Sequence, residues 1–400
     1  MRYNRWWQHR WIKFIGISLI VLTVFVMISA LIFKFYVFTP KKLTTTITVE
    51  TSRTTVMTTT SQQPDWLKTG NMNYARRTHT ASVLANGKVL ITGGLGDQDY
   101  LNSSELYDPL TQTWTTTGNM NIARAEHTAS LLSNGKVLVT GGINNQGFLN
   151  SSELYNPSTG IWTLTGSMIN ARSEHTASVL TSGKVLITGG SVDEHFLNNS
   201  ELFDPLTETW TATGSMNSPR AQHTASVLIN GKVVVTGGCT NFNRLNSAEL
   251  YDPLMETWTK TGSMNYTRSQ FVATELKNGK VLVSGGFNYN FNRNSAELYD
   301  SVTGIWKITG NMNHSRWRHT SSILSNGNVL VTGGFDHYPL DTAELYDVST
   351  ETWISISQMN NARGGHTASV LTNGKVLISG GIYDGESLNS AELYKSVETN

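Results

Sequence analysis

The sequence predicts an all-β fold in which seven four-stranded sheets form a closed ring, preceded by one transmembrane helix. Three observations predict this architecture. A unit of about 48 residues recurs seven times from Trp66 onward, each unit contains four short strand patterns, and a long apolar run lies near the amino terminus. These features divide the chain into a cytoplasmic tail at 1–13, a transmembrane helix at 14–33, a threonine-rich stalk at 34–65 and a repeat domain at 66–400.

Composition narrows the class of protein. The 400 residues carry a formal net charge of +1, which argues against a nucleic-acid partner because such proteins need a basic face. The 35 glycines indicate many turns. Cys239 is the single cysteine, so no intramolecular disulfide is expected.

Residues 14–33 form an uncharged, mostly apolar run between Lys13 and Lys34. A helix of this length spans about 30 Å, which matches the apolar core of a bilayer. The amino-terminal flank carries more positive charge than the other, which favours a type II single-pass protein with a cytoplasmic amino terminus. A cleaved signal peptide is the alternative, although its apolar region usually has only about 7–15 residues. Both interpretations place the rest of the chain in an extracellular or lumenal space.

Threonine dominates the segment from 39 to 64, which has no apolar periodicity. Such a tract cannot form a core and resembles an O-glycosylated spacer, with a plain disordered linker as the alternative. In both cases the stalk at 34–65 holds the following domain away from the membrane.

The repeat is defined by a Gly-Gly pair, a tryptophan, an arginine and a glutamate that return at the same step. In the first complete unit, strands A to D are predicted at 78–84, 88–92, 104–107 and 114–117, with an Asn-Gly hairpin turn between A and B. Four strands in about 45–50 residues indicate a β-propeller with one four-stranded antiparallel blade per repeat.

Counting the strands indicates how the ring closes. A strand D pattern at Trp66 precedes the first strand A, whereas the last unit ends at Tyr394 with no tryptophan after it. The amino-terminal strand is therefore expected to complete the seventh blade, which leaves no open sheet edge between the first and last repeats.

The spacing of Gly93-Gly94, Tyr107-Asp108 and Trp114 resembles the signature of kelch repeats, and it returns in seven copies. The resemblance covers residues 66–394 and implies a seven-bladed kelch-type β-propeller. We interpret the Gly-Gly pair as supplying positive φ or close backbone approach, and the tyrosine and tryptophan as packing between blades.

Two further sets of repeated side chains carry charge or titrate. Arg76 and Glu105 recur in every blade and are expected to form structural ion pairs, with a sevenfold charged rim as the alternative. The repeated histidines belong to different blades, so we expect hydrogen-bonded strand residues and no metal site. They are His79, His127, His175, His223, His319 and His366.

The predicted binding surface is the face formed by the B–C and D–A loops. These loops differ between repeats whereas the A–B turns are nearly identical, and variable loops on a rigid scaffold usually carry binding. Blades one to three present mainly acidic side chains there, and blades four to six present aromatic and arginine side chains, the usual interface anchors. Ordinary exposed loop residues are the alternative. The predicted contacts to a protein or glycan ligand are Phe242, Arg244, Tyr289, Phe291, Arg293, Trp317, Arg318 and Tyr338.

Five asparagines begin N-x-[ST] sequons and are candidate glycosylation sites on the same face. They are Asn102, Asn150, Asn198, Asn265 and Asn313.

An enzyme is the alternative function, because some kelch propellers are copper radical oxidases similar to galactose oxidase. That chemistry requires a tyrosine–cysteine crosslink with tyrosine and histidine copper ligands near the axis. We expect a binding module without a cofactor instead, because the available residues come from loops at different radii. The available residues are His195, Cys239, Tyr289, His337 and Tyr338.

Overall fold

Seven four-stranded antiparallel sheets form the fold in a computed structural model, which describes residues 66–241, 243–288 and 294–396. The chain divides into two units, Met1–Thr60 and Ser61–Asn400, and every described residue belongs to the second. The predicted cytoplasmic tail, transmembrane helix and stalk lie outside the described residues. Within the described ranges, no helix is long and apolar enough to cross a membrane.

The strands follow the predicted order A to D in each blade. Within the described residues, four blades also carry a hairpin of two-residue strands in the B–C loop. The first three blades and the strand before them comprise β1 (Trp66–Lys68), β2 (Thr80–Val83), β3 (Val89–Thr92), β4 (Ser104–Asp108), β5 (Thr113–Thr116), β6 (Thr128–Leu131), β7 (Val137–Thr140), β8 (Ile143–Asn144), β9 (Gly147–Phe148), β10 (Ser152–Asn156), β11 (Ile161–Leu164), β12 (Thr176–Val179), β13 (Val185–Thr188), β14 (Ser191–Val192), β15 (His195–Phe196), β16 (Ser200–Asp204) and β17 (Thr209–Thr213). Blades four to seven comprise β18 (Thr224–Val227), β19 (Val233–Thr236), β20 (Ala248–Asp252), β21 (Thr257–Thr261), β22 (Val272–Glu275), β23 (Lys280–Ser284), β24 (Ala296–Asp300), β25 (Ile305–Ile308), β26 (Thr320–Ile323), β27 (Val329–Thr332), β28 (Phe335–Asp336), β29 (Tyr338–Pro339), β30 (Ala343–Asp347), β31 (Thr352–Ser355), β32 (Thr367–Val370), β33 (Val376–Ser379), β34 (Ile382–Tyr383), β35 (Glu386–Ser387) and β36 (Ala391–Tyr394).

Strand B is buried along almost its whole length in every blade, as β3 shows with four buried residues of the sequence VLIT. Strand D is mostly exposed and forms the outer edge. The A–B hairpin turns through Gly87, whose φ of 80° suits a tight turn. Strand A begins at Thr80 and not at the predicted Thr78, because Thr78 has a φ of 49°, which ends the extended backbone.

The hydrophobic core lies between neighbouring blades. One cluster joins Leu84 and Leu90 of blade one to Val137, Val139 and Tyr155 of blade two. Equivalent clusters fill the other six interfaces, including the one between blades seven and one. Each blade therefore buries both faces against its neighbours, which stabilises a closed ring.

The amino-terminal strand closes the ring. β1 pairs antiparallel with β36, with Trp66 opposite Tyr394 and Lys68 opposite Glu392. Trp66 Nε1 donates a hydrogen bond to the Ser357 carbonyl oxygen at 2.8 Å. The seventh sheet therefore has the order β1-β36-β33-β32 and contains strands from both ends of the propeller.

Candidate binding face and central cavity

Every blade contains a buried ion pair between the repeated arginine and the repeated glutamate. Arg76 Nη2 lies 2.9 Å from Glu105 Oε1, and neither side chain is exposed. Arg76 Nη1 donates to the carbonyl oxygens of Gly93 and Ser103 at 2.7 and 3.1 Å. The seven pairs, with N–O distances of 2.6–3.1 Å, are Arg76–Glu105, Arg124–Glu153, Arg172–Glu201, Arg220–Glu249, Arg268–Glu297, Arg316–Glu344 and Arg363–Glu392.

The glutamate of each pair also orders the D–A loop. Glu105 Oε2 accepts hydrogen bonds from the backbone and side-chain nitrogens of Asn73, both at 2.7 Å, and Oε1 accepts one from the Tyr74 backbone. Burial lowers the pKa of Arg76, and the Glu105 carboxylate opposes this shift. The pair therefore fixes the loop to its blade and presents no charged rim to a ligand.

The Gly-Gly pair and the tryptophan connect neighbouring blades. Gly93 has a φ of 61°, and a Cβ there would lie 2.5 Å from the Arg124 carbonyl oxygen of the next blade. A side chain at this position is therefore excluded by both conformation and space. The ring centroids of Tyr107 and Trp114 lie 4.9 Å apart, and Trp114 Nε1 donates to the Gly70 carbonyl oxygen at 2.7 Å.

One residue per blade forms a closed ring of backbone hydrogen bonds around the propeller axis. The residue two positions before strand A has a φ of 49–61° in all seven blades. Its N–H donates to the carbonyl oxygen of the equivalent residue in the preceding blade, at 3.0–3.3 Å. Left-handed backbone at residues other than glycine costs about 1–3 kcal/mol each, and such strain is often found at functional sites. The ring consists of Thr78, Glu126, Glu174, Gln222, Gln270, Arg318 and Gly365.

This ring surrounds the mouth of a central cavity of about 330 Å³ on the loop face. A second cavity of about 480 Å³ lies deeper, between the A strands. The two cavities share five lining residues, which are His175, His223, Phe271, His319 and His366.

Opposite charges meet at the cavity mouth. Arg318 Nη2 lies 3.6 Å from Glu126 Oε1 and 3.7 Å from Glu174 Oε1. Gln222 Nε2 donates to both carboxylate oxygens of Glu174, at 2.8 and 3.0 Å. Burial and the negative charge of Glu174 raise the pKa of Glu126, and Arg318 opposes this shift. Arg318, predicted as part of the aromatic sector of blades four to six, thus lies against acidic residues of blades two and three.

Histidines follow the ring residue in six blades and lie just before strand A. The prediction that they are strand residues is therefore wrong, because the left-handed ring residue before each of them delays the start of the strand. His127 Nε2 is 3.0 Å from Thr80 Oγ1 of the preceding blade. The same contact recurs, at 3.0–3.1 Å, for His79, His175, His223 and His366. Burial lowers the pKa of all six histidines below the ordinary value, so the imidazoles are neutral near pH 7.

Blade five interrupts this histidine–threonine ring, because Phe271 and Val272 replace the histidine and the threonine. Thr224 Oγ1 consequently has no hydrogen-bond partner among the described residues at the joint before Phe271. Within the described ranges, His319 Nε2 has none at the joint after Val272, and its Nδ1 has none either, as in the other five histidines. His319 is only 4% exposed and lines both cavities.

Three aromatic side chains on the loop face form an aromatic row, consisting of Phe287, Trp317 and Phe335. The centroid distances are 6.1 Å between Phe287 and Trp317 and 4.8 Å between Trp317 and Phe335. Arg244 of blade four lies over Phe287, with Cζ 5.3 Å from the ring centroid. Arg318 Cζ lies 5.9 Å from the centroid of Trp317, the middle residue of the row, so the middle of the row lies beside the cavity mouth.

Local structure explains the aromatic row. Phe287 and Phe335 directly follow the Gly-Gly pairs, and isolated β-bridges pair them with Ser269 and Trp317 at the base of the loops. In blade seven, the residue equivalent to Trp317 is Gly364, where any Cβ would collide with the Phe335 ring. The absence of a side chain there makes room for the row.

Of the other predicted contact residues, the structure describes one and leaves four outside the described ranges. Tyr338 is 79% exposed and lies in the β28–β29 hairpin of the loop face. Phe242, Tyr289, Phe291 and Arg293 lie outside the described residues. Phe287 was not predicted as a contact. Directly after the Gly-Gly pair, the sequence has an aromatic residue in blades five and six and an aliphatic residue, serine or cysteine in the other five, and this difference could have identified Phe287.

The five sequon asparagines each have a hydrogen-bonding role within the repeat. Asn102 Nδ2 donates to the Met120 carbonyl oxygen at 3.1 Å, as Asn150 and Asn198 do to their equivalents. Asn246 makes the same bond without belonging to a sequon. Nδ2 of Asn265 and of Asn313 donates to the buried glutamate of the following blade. Asparagine at these positions is therefore explained by structure, and glycosylation stays a prediction.

The residues considered for copper chemistry lie in different environments. Cys239 is buried, its Sγ lies 3.4 Å from Gln222 Oε1, and burial raises the pKa of the thiol to about 11. His195 and Tyr338 are exposed, and Tyr289 lies outside the described residues. Across the described ranges, no group of three or more His, Cys, Asp or Glu side chains is arranged to hold a metal ion.

Seven blades with the kelch spacing, closed by an amino-terminal strand, define the class of this protein as a kelch-repeat β-propeller. The family model described as Attractin/LZTR1 beta-propeller matches residues 35–296, and the Kelch motif model matches residues 316–360. The chain belongs to the Attractin/LZTR1 β-propeller family.

Comparison of the chain with individual proteins found a similar solved structure but no similar curated sequence. No curated protein sequence matches the chain. A solved structure described as a novel fungal alcohol oxidase with catalytic diversity among the AA5 family, in complex with copper, superposes with a TM-score of 0.69. The two chains are 17% identical, and the match covers 84% of this chain and 76% of the oxidase. At this identity, the likeness shows a shared fold alone.

Proposed function

We propose that this protein is a membrane-anchored interaction module that binds a protein or glycan ligand through the loop face of its propeller, outside the cytosol. The observation that carries the proposal is the aromatic row with Arg244 stacked on one end. Aromatic and arginine side chains in well-packed surroundings contribute most of the binding energy at interfaces. All four side chains are half-buried, so packing orders them while part of each stays accessible.

The direction of β1 supports the display of this face. β1 takes the place of strand D in the seventh blade, and strand D runs from the C–D turn toward the D–A loop. The chain therefore enters the propeller at the face of the A–B and C–D turns, opposite the loop face.

Binding by the full chain, displayed on cells, to arrays of glycans and secreted proteins tests the binding face. We expect Trp317→Ser and Arg244→Ser to weaken binding of the selected ligand about tenfold or more, as for interface anchors. Leu206→Ser is the matched control, because Leu206 is 93% exposed in a C–D turn. A ligand that is lost with Leu206→Ser and retained with both loop-face variants would contradict the proposal.

The membrane topology is tested separately with a carboxy-terminal tag on intact cells. The proposal predicts that external protease removes the tag and that glycosidase treatment changes the mobility of the protein. A tag that is protected until the cells are permeabilised would refute display outside the cytosol.

A further inference from the structure

The mouth of the central cavity has a chemistry different from that of the aromatic row. We propose that this mouth is a binding site for a cationic side chain, the ammonium of a lysine or the guanidinium of an arginine, presented by the ligand. The inference deepens the proposed function, because the mouth opens on the same loop face.

The charge of the mouth favours a cation. The ring residues include two carboxylates, Glu126 and Glu174, and one guanidinium, Arg318, while the other four ring residues are uncharged. The histidines below them are neutral near pH 7. Among the described residues, the ring therefore carries one negative charge in excess, at carboxylates that are only 20–28% exposed and thus weakly screened by water.

The donor groups that contact the Glu126 and Glu174 carboxylates allow a further donor to bind at a shorter distance. The contacts of 3.6 and 3.7 Å from Arg318 exceed the roughly 2.7–2.9 Å of a close charge-assisted hydrogen bond. Glu174 accepts two hydrogen bonds from Gln222. Within the described part of the chain, the Glu126 carboxylate accepts none. An ammonium group, with three donors, can satisfy Glu126 at close distance.

His319 provides an independent indication of a ligand. Among the described residues, its buried Nε2 has no partner, whereas Nε2 of each of the other five repeated histidines lies 3.0–3.1 Å from a threonine hydroxyl. The His319 side chain lines the same cavity. Buried polar groups are nearly always hydrogen-bonded, so an exception in a cavity wall indicates an additional group there. A neutral imidazole offers one acceptor and one donor to the incoming side chain or to the water that accompanies it.

The cavity has a size that suits one extended side chain. Its volume of about 330 Å³ lies within the range of ligand pockets, roughly 300–1,000 Å³. Lysine and arginine carry their charge on a slender three- or four-carbon stem, which can pass the ring while the main chain of the ligand stays outside.

Titration of the full chain with Nα-acetyl-lysine methylamide and Nα-acetyl-arginine methylamide, followed by calorimetry or ligand-detected NMR, tests the site. The neutral Nε-acetyl-lysine and citrulline analogues are the matched ligand controls. We expect at least one cationic probe to bind about tenfold or more tightly than its neutral analogue, as for a charge-assisted hydrogen bond.

Variants assign the binding to the mouth. Glu126→Gln combined with Glu174→Gln should weaken the cationic probe about tenfold, His319→Phe should weaken it less, and Arg318→Gln should tighten it because a competing cation is removed. Glu256→Gln, at an exposed C–D turn, is the charge-matched control. If the double variant unfolds at a lower temperature, Glu126→Gln alone serves, since its carboxylate holds no loop in place.

Two results would overturn the inference. One is equal or absent binding of cationic and neutral probes, and the other is cation binding that Glu126→Gln leaves unchanged. If the chain binds a macromolecular ligand through Trp317 but binds neither cationic probe, this inference alone is contradicted. If the chain binds a cationic probe through Glu126 but binds no macromolecule, the proposed function alone is contradicted.

Discussion

At the residue scale, the buried Arg–Glu pairs are expected to be the positions most sensitive to loss of charge. Each glutamate neutralises a guanidinium that is fully buried and also accepts hydrogen bonds from a D–A loop. Removing one partner of a buried pair leaves the other charge uncompensated in a medium of low dielectric constant.

Glu153→Gln tests this expectation. It should lower the free energy of unfolding by about 3–5 kcal/mol, because Arg124 then stays buried without a counter-charge. Glu351→Gln, which removes an exposed ion pair with Lys307, should cost at most about 1 kcal/mol. Denaturant unfolding measures both, and equal losses for the two variants would contradict the structural role of the buried pair.

The buried histidines predict a dependence of stability on pH. Burial lowers the pKa of His175 and His366 from 6.5 to about 3, and that of the other four well below 6.5. Below pH 6.5 the unfolded chain binds protons that the folded chain does not, so the free energy of unfolding should fall as the pH drops from 6.5 toward 3.

His127→Phe, which copies the residue found in blade five, tests the origin of this dependence. The slope of unfolding free energy against pH between about 5.5 and 6.5 should decrease by up to about 1.4 kcal/mol per pH unit, one proton's worth. The exposed His195 provides the control His195→Gln. Identical slopes for the wild type and His127→Phe would show that the buried histidines do not cause the effect.

The sequon asparagines allow a matched test of structure against glycosylation. Asn102→Asp and Asn246→Asp each replace an amide donor with a carboxylate facing a carbonyl oxygen. Both should destabilise the protein by about 1–3 kcal/mol when it is produced without glycans. Thermal unfolding measures the losses, and an unchanged stability in both variants would remove the structural explanation for these asparagines.

At the element scale, the stability of the ring depends on β1. Deleting residues 66–70 removes three strand residues and the Trp66 hydrogen bond, and it leaves β36 as an open sheet edge. We expect cooperative loss of stability and self-association, measured by thermal unfolding and light scattering. Leu67→Thr, which changes a side chain that is 37% exposed and keeps the backbone pairing of β1 with β36, is the control and should change the unfolding temperature little.

The strands were predictable from sequence because their signals are local and repeated seven times. Asn-Gly turns, Gly-Gly pairs and the tryptophan fix where each strand begins and ends, and the predicted and observed limits differ by at most two residues. The largest difference is at the start of strand A. Thr78, Gln270 and Arg318 share a left-handed backbone there, which residues so different in chemistry do not reveal.

At the scale of the whole molecule, the closed ring creates a site that no single repeat contains. The ion pairs, packing residues and ring closure could be inferred because each can be read within one repeat or by counting. The cavity mouth could not be inferred from the sequence. Its charged residues Glu126, Glu174 and Arg318 are up to 192 positions apart in the chain and meet only at the axis of the seven blades. The environment of His319 could not be predicted for the same reason. The position that would hold the hydrogen-bond partner of His319 Nε2 belongs to the neighbouring blade, where Val272 replaces the threonine.

Site-specific photo-crosslinking on intact cells tests the central claim, that the loop face is the binding face, most directly. A photoreactive phenylalanine analogue would replace Tyr338 on the loop face in one sample and Leu206 on the turn face in another, two side chains of high exposure. The account predicts a discrete crosslinked partner from position 338 that disappears with Trp317→Ser, and none from position 206. A discrete partner captured from position 206, with none from 338, would contradict it.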